Sequence, residues 1–291
     1  MKAGERPDIP NPRLNISNAL KKSLACVTKI GSQRQINVAK LHHFLLILAV
    51  MKEKVAEEIA RIIENDQVIG VGTGTTVDAA VDAIARRISA DKLRIRAVPT
   101  SYQSAWRCEN AGMTVMYPGY AGEIAIAFDG ADAIDEQGLV VKGIGGAMLK
   151  EKILAARARQ YFIIAVESKL MKTIGNGVPI PIEVVPDARF LVERALTNMN
   201  ATSVRLRTGS GKHGPVVTEA GNIILDAEFA HLTAEHESRL KSITGVVETG
   251  IFAGYADSIL VATKEGIKTL SVTRTRTANH SCNRSVGDKV G

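Results

Sequence analysis

The chain has 291 residues, 45% hydrophobic and 23% charged, the proportions of a folded globular protein, which excludes disorder, collagen and a coiled coil as overall readings. Three cysteines, Cys26, Cys108 and Cys282, odd in number and far apart, build neither a disulfide framework nor a zinc knuckle and fit a reducing cytoplasm. The formal net charge of +7 points to nucleic acid only until it is located: residues 1–51 hold eight Lys/Arg against two acids and residues 271–291 four against one, leaving 25 bases and 27 acids between them.

Residues 1–50 read as a poorly ordered extension, with no sustained period over 1–43, early prolines (Pro7, Pro10, Pro12) and a basic Lys21-Lys22 step. The longest apolar run, residues 44–51, is too short to span a bilayer, so no membrane segment is expected. From Met51 onward Val55, Ile59, Ile62 and Ile63 share one helical face and predict an amphipathic helix. Residues 67–72 are an apolar run ending in glycines, and Thr75-Thr76 then lead into Val77, Ala80, Val81 and Ile84 at helical spacing: strand, tight turn, capped helix.

The same grammar recurs, with strands over 93–98, 124–128 and 161–166 and helices over 102–111 and 147–159. Strands apolar on both faces and separated by helices require cover on both sides. The fold class is therefore α/β, a doubly wound, largely parallel sheet. Beyond Gly175 the pattern changes. Pro179, Pro181 and Pro186 interrupt an extended segment, a helix follows over 188–199, a hairpin over 214–225 turns at 219–222, and another helix runs over 234–242 before a strand at 258–262. This predicts a catalytic domain over 51–176 and 247–270, a smaller α+β, ferredoxin-like domain over 177–246, and a disordered tail over 271–291.

In an open α/β sheet ligands collect beyond the carboxyl ends of the strands. One such end is Gly70-Val-Gly-Thr-Gly-Thr-Thr76, whose glycines, hydroxyls and helix N-terminus can cradle a phosphate. Its spacing is not that of a dinucleotide loop, since the sixth position is Thr75, and it lacks the Gly-Lys-Ser/Thr of a nucleotide P-loop. A second end is Asp129-Gly-Ala-Asp132, followed by Lys142-Gly-Ile-Gly-Gly-Ala147 and Glu151. Taken singly these are a turn, a strand-end lysine and a first-turn helix acid. Taken together they bring carboxylates, an ammonium and a glycine-rich backbone to one sheet edge, which is what proton transfer beside a carbonyl needs. A third end, Glu167-Ser-Lys169, offers one more cation. The six histidines lack metal-ligand spacing, no serine sits in a Gly-x-Ser-x-Gly elbow, and Trp106 is not interleaved with basic residues, so neither a metal, a serine nucleophile nor a base-stacking surface is expected.

These blocks, together with Val98-Pro-Thr-Ser101, residues 179–186, Gly214-Pro-Val-Val-Thr218 and Gly245-Val-Val-Glu-Thr-Gly250, resemble the type A ribose-5-phosphate isomerases over residues 52–270. The resemblance implies cofactor-free interconversion of D-ribose 5-phosphate and D-ribulose 5-phosphate through an enediolate, in a cytoplasmic homodimer or homotetramer. It implies Glu151 as general base, with Asp129, Asp132 and Lys142 acting on the sugar hydroxyls and carbonyl. Lys52, Thr73, Gly74, Thr75, Thr76 and Lys169 would meet substrate and phosphate, beside Gly130, Ala131, Gly143, Ile144 and Gly145. The chain departs from the family pattern at Ala133, where an acid is usual, at Ile144, where a third glycine is usual, and at Leu149-Lys150, where Thr-Arg is more familiar. The alternative is a non-catalytic sugar-phosphate-sensing domain of a transcriptional regulator, against which residues 1–50 offer no two helices joined by a turn.

Overall fold

The computed structural model describes residues 38–211 and 213–275. The chain divides into two units, 1–48 and 49–291, at a point inside the first helix, α1 (Val38–Ile62). The helix expected from Met51 thus starts at Val38, inside the stretch read as an unordered extension. Residues 44–51 are apolar on every side and carry no helical period for a sequence reading to find. The rest of that extension, and most of the tail expected after 271, lies outside the described residues. Met51, Val55, Ala56, Ile59 and Ala60 of α1 are buried, at the i, i+4 spacing of one helical face.

From there the elements alternate: β1 (Val68–Val71), α2 (Thr75–Asp91), β2 (Arg96–Pro99), α3 (Tyr102–Asn110), β3 (Thr114–Val115), β4 (Ile124–Asp129), β5 (Ala133–Ile134), β6 (Val140–Val141), α4 (Met148–Arg157) and β7 (Ala158–Val166). The second half comprises β8 (Ile180–Val184), α5 (Arg189–Asn198), β9 (Ala201–Leu206), β10 (Ile223–Phe229), α6 (Glu235–Lys241), β11 (Val246–Thr249), β12 (Ile251–Phe252), β13 (Ser258–Ala262) and β14 (Ile267–Ser271). The large sheet has the order β14-β13-β7-β4-β1-β2-β3, parallel throughout except for β14, which returns antiparallel along β13. Its central strands β1, β4 and β7 are buried, as strands covered on both faces must be.

The second sheet, β11-β8-β10-β9, is antiparallel, and its chain order β8-α5-β9-β10-α6-β11 is that of a ferredoxin-like unit. Val246–Thr249 belongs to this sheet, so the return to the large sheet, expected at 247, comes only at Ser258. The alternation of Val246, Val247 with Glu248 carries no mark of which sheet it joins. The hairpin expected at 219–222 is present as a turn in which the Asn222 carbonyl accepts from the Thr218 N–H. A short third sheet, β12-β6-β5, links the two larger ones. Residues 271–275 are not a loose tail. The Arg274 guanidinium donates to the carbonyls of Ala155, Ala158 and Arg159 and pairs with Asp257 at 2.8 Å, and the Thr275 N–H reaches Gly254 O. Among the described residues no helix is long and apolar enough to cross a membrane.

Candidate active site

β4 is apolar until its last residue, Asp129, which the strand delivers fully buried at the carboxyl edge of the sheet. Its Oδ1 accepts from the Gly130 and Thr73 N–H groups at 2.7 and 3.2 Å. Neighbouring β1 is followed by Gly72, where nothing larger fits: a Cβ there would lie 2.1 Å from the Asp129 carboxyl. Lys142 follows β6, whose end is fixed by the Lys142 N–H on Gly250 O. Its ammonium donates to Gly130 O at 2.7 Å and forms ion pairs with Asp129 Oδ2 at 3.0 Å and Glu151 Oε2 at 3.3 Å. Glu151 sits in the first turn of α4 and is buried with them. The Phe252 ring, 5.6 Å from the ammonium, closes one side of the cluster.

Three ionisable groups removed from water perturb one another. Burial pushes Glu151 up to about 8, helped by the Asp129 charge and opposed by Lys142. Burial likewise raises Asp129, with Lys142 and the two N–H donors working against it. For Lys142 burial works downward, but the two carboxylates outweigh it and hold the ammonium above its ordinary range. The result is a lysine held in its charged form between one carboxylate tied to backbone donors and another whose proton affinity burial has raised. Behind them Tyr161, fully buried on β7, is held well above its normal range by burial and by both carboxylates.

The loop between β6 and α4 forms the second wall. Gly143 and Gly146 adopt φ of 99° and 78°, which side chains other than glycine rarely tolerate. Between them the Ile144 N–H donates to Asp132 Oδ2 at 3.0 Å, while the Ile144 side chain is 56% exposed. Ala133, another departure, is buried in the core of the second sheet.

A second group of polar residues lies at the start of α2. Gly74, with φ 132°, leaves the helix without a side-chain cap, so its first N–H groups are available to an anion. The Lys52 ammonium donates to Thr75 Oγ1 at 2.7 Å, and Lys52 is depressed first by burial and then by the nearby charge of Lys169. Two lysines that feel each other's charge beside a helix N-terminus make this end of the sheet favourable for an anion. Thr73 Oγ1 is tied to the Thr100 and Ser101 hydroxyls, both at 2.8 Å.

The structure thus brings Asp129, Gly130, Lys142 and Glu151 into one cluster, with Asp132, Gly143, Ile144 and Gly145 as its wall, and Lys52, Thr75 and Lys169 into a neighbouring one. Ala131 only packs against the large core, and the Thr76 side chain makes no hydrogen bond among the described residues. A reading of strand ends overlooked Phe252 and Tyr161, because they stand inside or behind elements rather than at the edge of the large sheet.

Fold and geometry together define a class: a doubly wound α/β protein with a buried carboxylate–lysine–carboxylate cluster beside an uncapped helix N-terminus. The family is more specific. Residues 96–266 match the family described as ribose 5-phosphate isomerase A (phosphoriboisomerase A). Ribose-5-phosphate isomerase A of Thermococcus kodakarensis is 41% identical over 221 residues, covering 75% of this chain and 96% of the relative. The solved structure of ribose 5-phosphate isomerase A from Methanocaldococcus jannaschii superposes with a TM-score of 0.73 at 37% identity, over 76% of this chain and 98% of that one. A D-ribose-5-phosphate isomerase solved in complex with phospho-erythronic acid gives the same TM-score and identity over 76% and 97% of the two chains. The chain belongs to the ribose 5-phosphate isomerase A family.

Proposed function

We propose that the protein interconverts D-ribose 5-phosphate and D-ribulose 5-phosphate through an enediolate. The observation that carries the reading is the buried Asp129–Lys142–Glu151 cluster at the end of β4. A protein that only sensed a sugar phosphate would gain nothing from desolvating three ionisable groups, which costs several kcal/mol for each charge.

In the forward direction the phosphate is held by Lys52, Lys169 and the N-terminus of α2, placing the open-chain aldehyde at the cluster. The Glu151 carboxylate removes the proton from C2 as electrons move to the aldehyde oxygen, and Lys142 and the backbone of the 143–146 loop stabilise the negative oxygen. Protonated Glu151 then returns the proton to C1 while a hydroxyl proton passes from O2 to O1, leaving the ketose. A base near 8 suits both halves, because it neither holds nor releases the proton too strongly. Asp129, fixed by two N–H donors, accepts from a sugar hydroxyl and serves ring opening, and Asp132 holds the loop through Ile144. The phosphate of the phospho-erythronic acid bound by the complexed relative is matched in kind by the N–H groups at the start of α2.

A cytoplasmic setting belongs to the same reading, supported by Cys108, buried and unpaired, whose thiol burial pushes up to about 12. So does a homodimer or homotetramer, supported by the exposed Tyr117, Tyr120 and Phe190 rings. The test is conversion of D-ribose 5-phosphate to D-ribulose 5-phosphate in EDTA by the full chain and its Glu151→Gln variant. Turnover by the first and its loss in a variant that still binds the sugar phosphate support the reading. A folded parent without turnover overturns it.

A further inference from the structure

The 143–146 loop is held by its own turn, in which the Gly146 N–H donates to Gly143 O at 3.0 Å, and by a residue of the other sheet. Arg207, just past the end of β9, has a side chain only 14% exposed. Its Nη1 donates to Gly143 O at 2.9 Å and to Ile144 O at 2.8 Å. Its remaining nitrogens grip Asp226 of β10, Nε donating to Oδ2 at 2.8 Å and Nη2 pairing with Oδ1. The guanidinium is therefore anchored by a bidentate carboxylate on one side and spends its free edge on two successive carbonyls.

A trans peptide points its C=O and its N–H in opposite directions. Holding Gly143 O on the Arg207 side sends the Ile144 N–H the other way, and that N–H is found on Asp132 Oδ2. Holding Ile144 O sends the Gly145 N–H away from Arg207 in the same manner. Among the described residues no acceptor takes the Gly145 N–H. A backbone donor left unpaired and fixed in direction is what a developing oxyanion needs.

We propose that Arg207 is a positioning residue for the isomerisation: by holding the Gly143 and Ile144 carbonyls it turns the Gly145 N–H toward the enediolate oxygen without touching the substrate. The inference rests on the isomerase reading. It separates from a general bracing role because it assigns Arg207 to the charge of the transition state and not to the phosphate site, where Lys52 and Thr75 stand on different elements.

The experiment uses Arg207→Lys, which keeps the charge opposite Asp226 but cannot span two carbonyls and a carboxylate together. A second variant, Arg207→Met with Asp226→Leu, removes the ion pair whole and leaves no unpaired carboxylate. Each is measured for kcat and KM, for the isotope effect with ribose 5-phosphate deuterated at C2, and for inhibition by phospho-erythronic acid and by inorganic phosphate. The planar, charged carboxylate of phospho-erythronic acid resembles the enediolate, whereas phosphate reports only the anion site. The expected result is kcat lower by about 30- to 100-fold, a larger isotope effect, and phospho-erythronic acid weakened by at least tenfold with phosphate inhibition within twofold of the parent. A folded variant with kcat within threefold of the parent overturns the proposal, as does equal weakening of both inhibitors. A parent without turnover on ribose 5-phosphate overturns the isomerase reading, and this inference with it.

Discussion

Glu151 holds its proton more tightly in the folded chain than in the unfolded one, and both activity and stability inherit that difference. As base it must be ionised, so kcat/KM is expected to climb about tenfold per pH unit below about 8 and to level above it. A pH–rate profile checks this; a plateau reaching down to pH 5 would contradict the assignment. For stability the sign is opposite. Between the ordinary glutamate range and about 8 the native state carries a proton that the unfolded chain has released, so stability falls as pH rises through that window. Glu151→Gln removes the titration. Its melting temperature is expected to match the parent near pH 5 and to exceed it by roughly 3–6 °C at pH 9, the effect of about 1–2 kcal/mol in a domain of this size. The variant that abolishes turnover should thus be the more robust protein, and thermal melts at the two pH values decide it.

At the scale of elements the site depends on how closely strands approach one another. Because the Asp129 carboxyl occupies the space of a Cβ on Gly72, Gly72→Ala must move the carboxylate off the Thr73 and Gly130 donors. The expected cost is about 1–3 kcal/mol of stability and at least tenfold in kcat, read by melts and initial rates. Gly70, whose neighbours are the Leu154 and Ala127 side chains, should be sensitive in stability more than in rate. The elements legible in the sequence were those with an unbroken buried apolar run: β1, β4 up to Asp129, the second half of β7 and β13 after Ser258, and α2 carries its stripe and its glycine turn openly. β9 was not legible because Ala201–Leu206 is an edge strand of alternating exposure with Arg205 in it, and β14 because Ile267–Ser271 is largely exposed. β5, β6 and β12 are two residues each, too short for any period. In the site, Asp129 and Lys142 could be picked out because charged residues at apolar strand ends are conspicuous, and Glu151 as the acid in the first turn of the helix that follows. Arg207 could not, since its meaning lies in the distant carbonyls of Gly143 and Ile144.

Across the whole molecule α4, the helix that carries Glu151, is gripped at both ends by distant parts of the chain. At its C-terminus the Arg274 guanidinium satisfies carbonyls that no intrahelical donor reaches, and a cation there also opposes the negative end of the helix. Arg274→Met should lower the melting temperature by roughly 3–9 °C, the loss of about 1–3 kcal/mol of charge-assisted bonds. A calorimetric midpoint unchanged from the parent would show that the clamp contributes nothing.

One residue beyond Glu151 stands Lys152, turned about 100° around the helix and buried against the other sheet. Its ammonium donates to Glu237 of α6 at 2.8 Å, to Glu248 of β11 at 2.9 Å and to Thr249 O at 2.8 Å, with the Phe252 ring 4.8 Å away. Successive side chains of one helix therefore serve the two halves of the protein, one as proton carrier and the next as keel. The halves are not interchangeable parts. A chimera that imports the ferredoxin-like unit from a relative must import acids facing Lys152 as well, or the helix will roll and carry its base out of register with the sugar.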